Sequence, residues 1–446
     1  MSELVGERDA RARRHAAIAA VAAMLVHTVL RTLVIFGPGI TGPAETDALN
    51  FHQPTVEQFV QQWPSPDVSD YAAASTPGHH LALAAIDDRF DPSLETLRLI
   101  SGTPVTLMIG LFVFYCSARA GPTVAILSGL PLMCSPHTVG FSTHVLPESS
   151  AWAFVLLLMI LAMRDRFTNS TTVVAGLVVL FCVLTRQVNL WTASLVWLAA
   201  WLGPKGNDPP SDVFAPPIQD RASRAKRTAI AFVATLPAFA VIAWFYSIWG
   251  SLTPGRFIAA NVGPNPVTPA FMLSLCGLAG LAFFPVFLPA LRQAISGGAP
   301  VVPIVGSAAA LGLLIGILPE STYSFEEGRV SGIWEAVRVT PTVFDRSPLI
   351  VIGSAVGAGF AAACLLVAPG SSSRWLLTLA LVASTAAQSA NAQAYQRYME
   401  PMVLLLFPIA AACAIRARGA SPHPLALLGP VTLAALLAIV TLGRIV

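Results

Sequence analysis

Apolar runs of about twenty residues, separated by short polar connectors, recur from one end of this sequence to the other. A helix rises about 1.5 Å per residue, so each run can cross a hydrocarbon core of roughly 30 Å. The alternating segments of about ten residues that mark a closed barrel are not present in the sequence. The pattern predicts an all-α polytopic membrane protein, a single membrane domain over 1–446. Spans are expected at 15–37, 96–117, 121–136, 146–163, 171–186, 188–203 and 228–249. They continue at 270–291, 301–318, 348–368, 375–391, 400–415 and 424–443, about thirteen in all. The first run follows the basic segment Arg8 to Arg14, exceeds a signal-peptide core in length and contains His27 and Arg31. It reads as an uncleaved first span.

Two polar stretches break the regular spacing. The segment 39–93 is long, and Leu49, His52, Val56, Phe59, Val60 and Trp63 recur within it at helical intervals. That spacing predicts an amphipathic helix lying on the membrane face, with Pro54 at its start because proline suits a first helical position. Thr76-Pro77-Gly78 predicts a turn before a second short apolar piece, Leu81 to Ile86. The segment 319–347, with Glu320, Glu326, Glu327, Arg329, Trp334, Glu335 and Arg338, is the other large loop on that side. The Pro-rich stretch at the start of 204–227 reads as a linker on the opposite side. No internal repeat and no paired interrupted helices of the kind found in carriers are visible.

Charge fixes the expected orientation. Arg11, Arg13, Arg14, Arg164, Arg166, Lys205, Arg221, Arg224, Lys226, Arg227, Arg374, Arg416 and Arg418 all fall on one side of the predicted spans, which is therefore cytoplasmic. The first long loop lies opposite and carries Glu45, Asp47, Glu57, Asp67, Asp70, Asp87, Asp88 and Asp91 against a lone Arg89. Composition agrees with the class: 11% of residues are charged and 55% hydrophobic, with mean hydropathy +0.69. A soluble domain carries about 25% charged residues. The six cysteines sit in or at the ends of apolar runs without Cys-x-x-Cys spacing, so they imply neither a metal knuckle nor a disulfide framework.

The candidate chemistry gathers on the side opposite the basic loops. Asp47, just past the first span, is placed to act as a general base, although one acid in an acidic loop can equally be simply solvated. Arg186 in Arg186-Gln187-Val188-Asn189 runs against the positive-inside bias. Its planar fork of donors suits a phosphate, and an ion pair with Glu148 is the plain structural alternative. Glu148 opens a span, where the helix dipole favours an acid. Arg397, followed by Tyr398 and Glu400-Pro401, is a second candidate phosphate ligand. Five of the eight histidines, His52, His79, His80, His137 and His144, fall in outer loops. Their spacing matches no metal-ligand pattern, which favours structural or sugar-contacting roles.

Several of these residues fall into an ordered set. Phe51-His52-Gln53-Pro54, Trp63 and Ser75-Thr76-Pro77-Gly78, then Glu148, then Arg186-Gln187-Val188-Asn189-Leu190-Trp191, then Arg397-Tyr398 with Pro401 follow one another along most of the chain as short islands. Residues and order together resemble the dolichyl-phosphate-glucose α-1,2-glucosyltransferases, members of the wider GT-C class of polyprenyl-phosphate-sugar glycosyltransferases. That family carries an Asp-Glu pair before the histidine of its first motif. Here the corresponding positions are Ala48 and Leu49, and Asp47 stands one residue earlier. Alignment to the related lipid-linked mannosyltransferases instead places Thr46-Asp47 on the acid pair.

The resemblance implies an inverting transfer of a hexose, glucose first, from a polyprenyl-phosphate-sugar donor to a glycan or lipid-linked acceptor. Asp47 would deprotonate the acceptor, Arg186 and Arg397 would hold the donor phosphate, and His52, His79, Glu148, Gln187, Asn189 and Tyr398 would contact substrate. It implies no cofactor and no metal, membrane lipid as surroundings, and no nucleic-acid partner. A lipid-sugar carrier and an envelope glycan polymerase or ligase are the competing readings. A carrier would want symmetric halves with mid-span charges, and a polymerase tends to place its long loop late in the chain. An alanine-rich, lysine-poor composition points to a bacterial inner membrane, with the endoplasmic reticulum as the alternative.

Overall fold

The structure is a computed structural model and describes residues 2–164, 167–203, 221–321, 332–368, 370–418 and 422–445. Arg166, Lys205, the Pro-rich part of the linker, and Glu326, Glu327 and Arg329 of the second large loop lie outside the described residues. Among the described residues the chain is helical, with isolated bridges but no strand.

It begins with the long helix α1 (Ser2–Phe36). The loop that follows is itself largely helical. α2 (Pro43–Asp47) passes into a π-helical turn at Ala48–His52 and on into α3 (Gln53–Gln61), and α4 (Gly78–Phe90) follows with Pro77 as its N-cap. α3 begins at Gln53 with Pro54 in its first turn, as the spacing predicts, and the helical path that leads into it starts further back, at Pro43. Pro54 has no N–H to offer the preceding turn, and the chain answers by widening that turn rather than by ending the helix. The amphipathic pattern is present, with Leu49, Phe51 and Trp63 exposed and His52, Val56 and Phe59 buried. Val56 and Phe59 pack with Tyr71, Leu83 and Trp249 in a small core of their own.

The bundle proper then runs through α5 (Leu94–Ala120), α6 (Pro122–Cys134), α7 (Pro136–Thr143), α8 (Glu148–Ala162) and α9 (Asn169–Thr185). It continues with α10 (Ala193–Leu202), α11 (Arg221–Trp249), the short α12 (Ile258–Asn261), α13 (Thr268–Ser296) and α14 (Val301–Ile317). α15 (Ile333–Val339) lies in the second large loop, and α16 (Pro348–Val367), α17 (Ser371–Ser389), α18 (Glu400–Arg418) and α19 (Leu428–Leu442) complete it. Among the described residues, seven helices are long and apolar enough to cross a membrane, or eight if α6 and α7, bent by 73° at Ser135, form one broken span. The protein is an integral membrane protein. The expected span 188–203 is corrected: Gln187–Thr192 is a 3-10 turn and α10 has 10 residues. At about 1.5 Å per residue, α10 alone reaches only about half of a hydrocarbon core.

Three features of the packing position the site. α16 lies between α13 and α14. α10 packs on both α11 and α17, which do not pack along each other, so α10 floors a groove between them. The start of α8, the end of α9, the residues before α18, and α2 all come together at one end of the bundle.

Candidate active site

Glu148 is the first residue of α8, where its carboxylate favours the exposed amide groups of the opening turn. Arg186 follows the last residue of α9 in an extended conformation, which turns its side chain out of the helix line. The two meet: Arg186 Nη1 donates to Glu148 Oε1 at 2.5 Å. Arg397 lies in the 3-10 turn Gln396–Tyr398 ahead of α18 and pairs with Asp47 at the end of α2. One ring unites the pairs. The guanidinium carbon of Arg186 stands 4.3 Å from the centroid of Tyr398 and that of Arg397 4.7 Å, while Arg397 Nη2 donates to the Tyr398 hydroxyl at 2.7 Å. Residues from four distant parts of the chain thus form one alternating cluster of charge on an aromatic support.

The turn that carries Arg397 is fixed from both sides. Glu400 accepts from Gln396 and from Ser135, and Gln396 Oε1 accepts from the Ile333 amide at 2.7 Å. Trp334 of α15 is fully buried, stacks on Phe271 at 4.5 Å and donates its indole N–H to Ala394 O at 2.8 Å. The second large loop therefore braces the arginine turn.

The cluster forms part of the wall of a cavity of about 1100 Å³. Asp47, His52, Glu148, Arg186, Gln187, Arg397 and Tyr398 all line it. Trp191, Trp197, Phe239, Ile242, Ala383 and Ala387 give it an apolar flank along α10, α11 and α17. Gln187 is also a clamp: its amide donates to Ala74 O at 2.7 Å and Leu252 O at 3.0 Å, and its oxygen accepts from the Thr76 amide at 3.0 Å. His79 and Asn189 are not among the cavity-lining residues. His79 is buried between Ser150 and Ser101, at 3.1 and 3.2 Å, and Asn189 is buried in the turn after Arg186. Both sit behind the wall because the chain around each is turned inward by helix packing, which a reading of loops as solvent-facing does not anticipate.

Burial opposes the charge on Arg397 and on Arg186. For Arg397 the neighbouring Tyr398, Asp47 and Glu148 more than offset it, and for Arg186 Glu148 and Tyr398 do so, so both pKa values are raised. His52 is the converse case. Burial, then the positive charge of Arg397 and Arg186, holds its imidazole well below its ordinary pKa of 6.5. A neutral ring results, stacked on His80 with Nδ1 2.9 Å from His80 Nε2. Such a ring can donate to or accept from a hydroxyl without adding charge. Among the described residues, no group of three or more His, Cys, Asp or Glu side chains is arranged to hold a metal ion.

Of the outer-loop histidines, His137 also reaches the cavity, and Arg444 is a charged lining residue that sequence reasoning missed. His137 of α7 lies 3.8 Å from Glu400, and Arg444 follows α19. Arg444 had one available signal. On the orientation the loops predict, it is an arginine on the wrong side of the positive-inside bias, as Arg186 is.

Fold and site define an integral all-α membrane protein whose ionisable residues converge on a single cavity beside an apolar groove. No family model matches the chain, and no curated protein matches it. A crystal structure of ArnT from Cupriavidus metallidurans in the apo state aligns with it over 96% of this chain and 77% of that one, at 14% identity and a TM-score of 0.35.

Proposed function

We propose that the protein is a glycosyltransferase of the GT-C kind, moving a hexose from a polyprenyl-phosphate-sugar to a glycan or lipid-linked acceptor. Glucose is the first sugar to test, and the non-cytoplasmic face is the proposed side. The observation that carries the reading is the pair of arginines, each held by a carboxylate and by Tyr398, at the head of a groove lined by tryptophan, phenylalanine and alanine. A polyprenyl phosphate has that same polarity: a long apolar tail and one anionic head. Its tail would lie between α11 and α17 on α10, and its phosphate would reach Arg186 and Arg397.

Donor binding and base activation are then coupled. Asp47 and Arg397 are held together as an ion pair on the cavity wall. A phosphate competing for Arg397 loosens that pair and leaves Asp47 facing the acceptor. Asp47 takes the proton of the acceptor hydroxyl, whose oxygen attacks the anomeric carbon from the face opposite the phosphate. The bond from carbon to phosphate oxygen breaks with inversion, and both arginines meet the charge that develops on the leaving phosphate. His52 and Glu148, which line the cavity wall, would orient sugar hydroxyls.

Purified protein in lipid nanodiscs, incubated with a panel of radiolabelled polyprenyl-phosphate sugars, is expected to release sugar from at least one donor, to water or to added lipid-linked glycan. Neither transfer nor donor hydrolysis across the whole panel would overturn the reading.

A further inference from the structure

The cavity wall carries three arginines, Arg186, Arg397 and Arg444, against two carboxylates, Asp47 and Glu148. The first two arginines are each in direct contact with an acid. The Arg444 side chain makes neither an ion pair nor a hydrogen bond among the described residues. It is the one uncompensated cation on the described wall.

It is also positioned rather than trailing. The Arg444 carbonyl accepts from the Thr41 amide at 2.8 Å and from the Thr41 hydroxyl at 3.1 Å, and Ile445 bridges antiparallel to Ile40. Those contacts tie the segment after α19 to the residues that lead directly into α2 and Asp47. The guanidinium lies over Gly42, where a Cβ would come within 3.8 Å of Nη1 and 3.7 Å of Cδ. Gly42 has φ +119°, a conformation that favours glycine in this turn. His137 lines the cavity together with Arg444, and α19 packs on α6 and α7 rather than on α10 or α11. Arg444 therefore belongs to a different wall from the apolar flank.

We propose that Arg444, beside His137, is a second phosphoryl-binding point, one that takes the phosphate or diphosphate of the acceptor while Arg186 and Arg397 hold that of the donor. The assignment rests on the glycosyltransferase reading for the identity of the two ligands, but the anion site itself does not. A guanidinium carried on a clamped backbone, with its whole donor fork unused, matches phosphoryl oxygens in pairs. A net positive cavity can take up a second anion after the first has neutralised one arginine pair. An acceptor head held at Arg444 also brings the acceptor hydroxyl past Asp47, because Arg444 is seated on the residues just before it.

The test uses the full-length protein in nanodiscs and two probes: polyprenyl phosphate, and inorganic pyrophosphate titrated with polyprenyl phosphate already saturating. Arg444→Gln is expected to weaken pyrophosphate binding roughly tenfold, the scale of one charge-assisted hydrogen-bonded pair. It should leave polyprenyl phosphate affinity within about twofold, whereas Arg444→Lys keeps part of the pyrophosphate affinity by charge alone. Only the side chain is altered, and the backbone clamps to Thr41 and Ile40 stay, so melting temperature and monodispersity should match wild type. Unchanged pyrophosphate binding in Arg444→Gln overturns the proposal. Loss of polyprenyl phosphate instead of pyrophosphate overturns it too, by assigning Arg444 to the donor. If wild type binds pyrophosphate through Arg444 but no polyprenyl phosphate, the glycosyltransferase reading fails and the anion site stands.

Discussion

Asp47 and Glu148 face the same cavity and touch arginines on the same tyrosine, yet they should respond differently to neutralisation. Asp47 is a quarter exposed, and its removal leaves Arg397 still in contact with Tyr398. Asp47→Asn should therefore fold, bind donor and lose at least about a hundredfold in sugar transfer, the range of a lost general base. Wild-type turnover in that variant would end the assignment of Asp47 as base. Glu148 is buried, and its loss strands the Arg186 guanidinium in a site where burial already opposes its charge. Glu148→Gln is expected to cost several kcal/mol, about the 3–5 kcal/mol of a broken buried pair. The double variant Glu148→Gln/Arg186→Gln should recover part of that loss. A thermal-melt cycle on the two single variants and the double checks this, and strict additivity would mean that the pair at 2.5 Å carries no coupling.

At the scale of elements, close approach of backbones does the work that burying oil from water does in a soluble protein. Gly353 and Gly357 on α16 face α13, and a Cβ on Gly277 of α13 would stand 3.0 Å from Gly353 O. A Cβ on Gly357 would meet the Leu273 carbonyl and Gly277 N. Small residues at such crossings let helices pack in lipid, where apolar surface alone gives no preference for protein over acyl chain. Gly357→Val has no flexible side chain to displace, only backbone, so α13 and α16 must separate. The expected outcome is a melting temperature lowered by many degrees, because overpacking costs about 1–3 kcal/mol or more. Gly306→Val on α14, where a Cβ meets nothing within 4 Å, should leave it unchanged. Equal behaviour of the two variants would contradict this packing. The same scale shows what sequence could and could not yield. Apolar runs located the long helices, because a span must satisfy its backbone internally and so leaves a continuous hydrophobic record. The shortness of α10 left no such record. Its 3-10 approach Gln187–Thr192 is apolar enough to read as span, and only hydrogen bonding separates the two.

For the molecule as a whole, the charge pairs were the less legible half of the site. Arg186 and Glu148 stand out singly as charges beside apolar runs, and their pairing was one of two readings open from sequence. Asp47 and Arg397 lie at opposite ends of the chain, and no local pattern ties them; their contact exists because α2 and the turn before α18 reach the same end of the bundle. The histidines follow the same logic, since a loop position does not disclose that His52, His79 and His80 pack into one another inside the protein. That burial has a consequence for the entire fold. His79 is pushed down from 6.5 to about 4 by burial, against the pull of Glu148, and His52 and His80 are lowered well below 6.5 by burial with Arg397 and Arg186 adding to the effect on His52. An unfolded chain takes up protons on these rings below pH 6.5, whereas in the folded chain His79 does not until pH approaches 4, and His52 and His80 too are held neutral well below 6.5. Their contribution to stability is thus complete above pH 6.5 and is lost progressively as pH falls below it, for His79 toward about 4. The slope is up to roughly 1.4 kcal/mol per pH unit for each histidine. Melting temperatures in detergent between pH 6.5 and pH 5, above the ordinary carboxylate range of about 4, isolate the effect from acid titration. The wild-type melting temperature should fall across that window, and a His79→Gln/His80→Gln variant should show a shallower fall from a lower start. A flat wild-type profile would mean that these rings are open to water, and that the cavity wall behind Glu148 is not the dry, packed layer on which its charge pair depends.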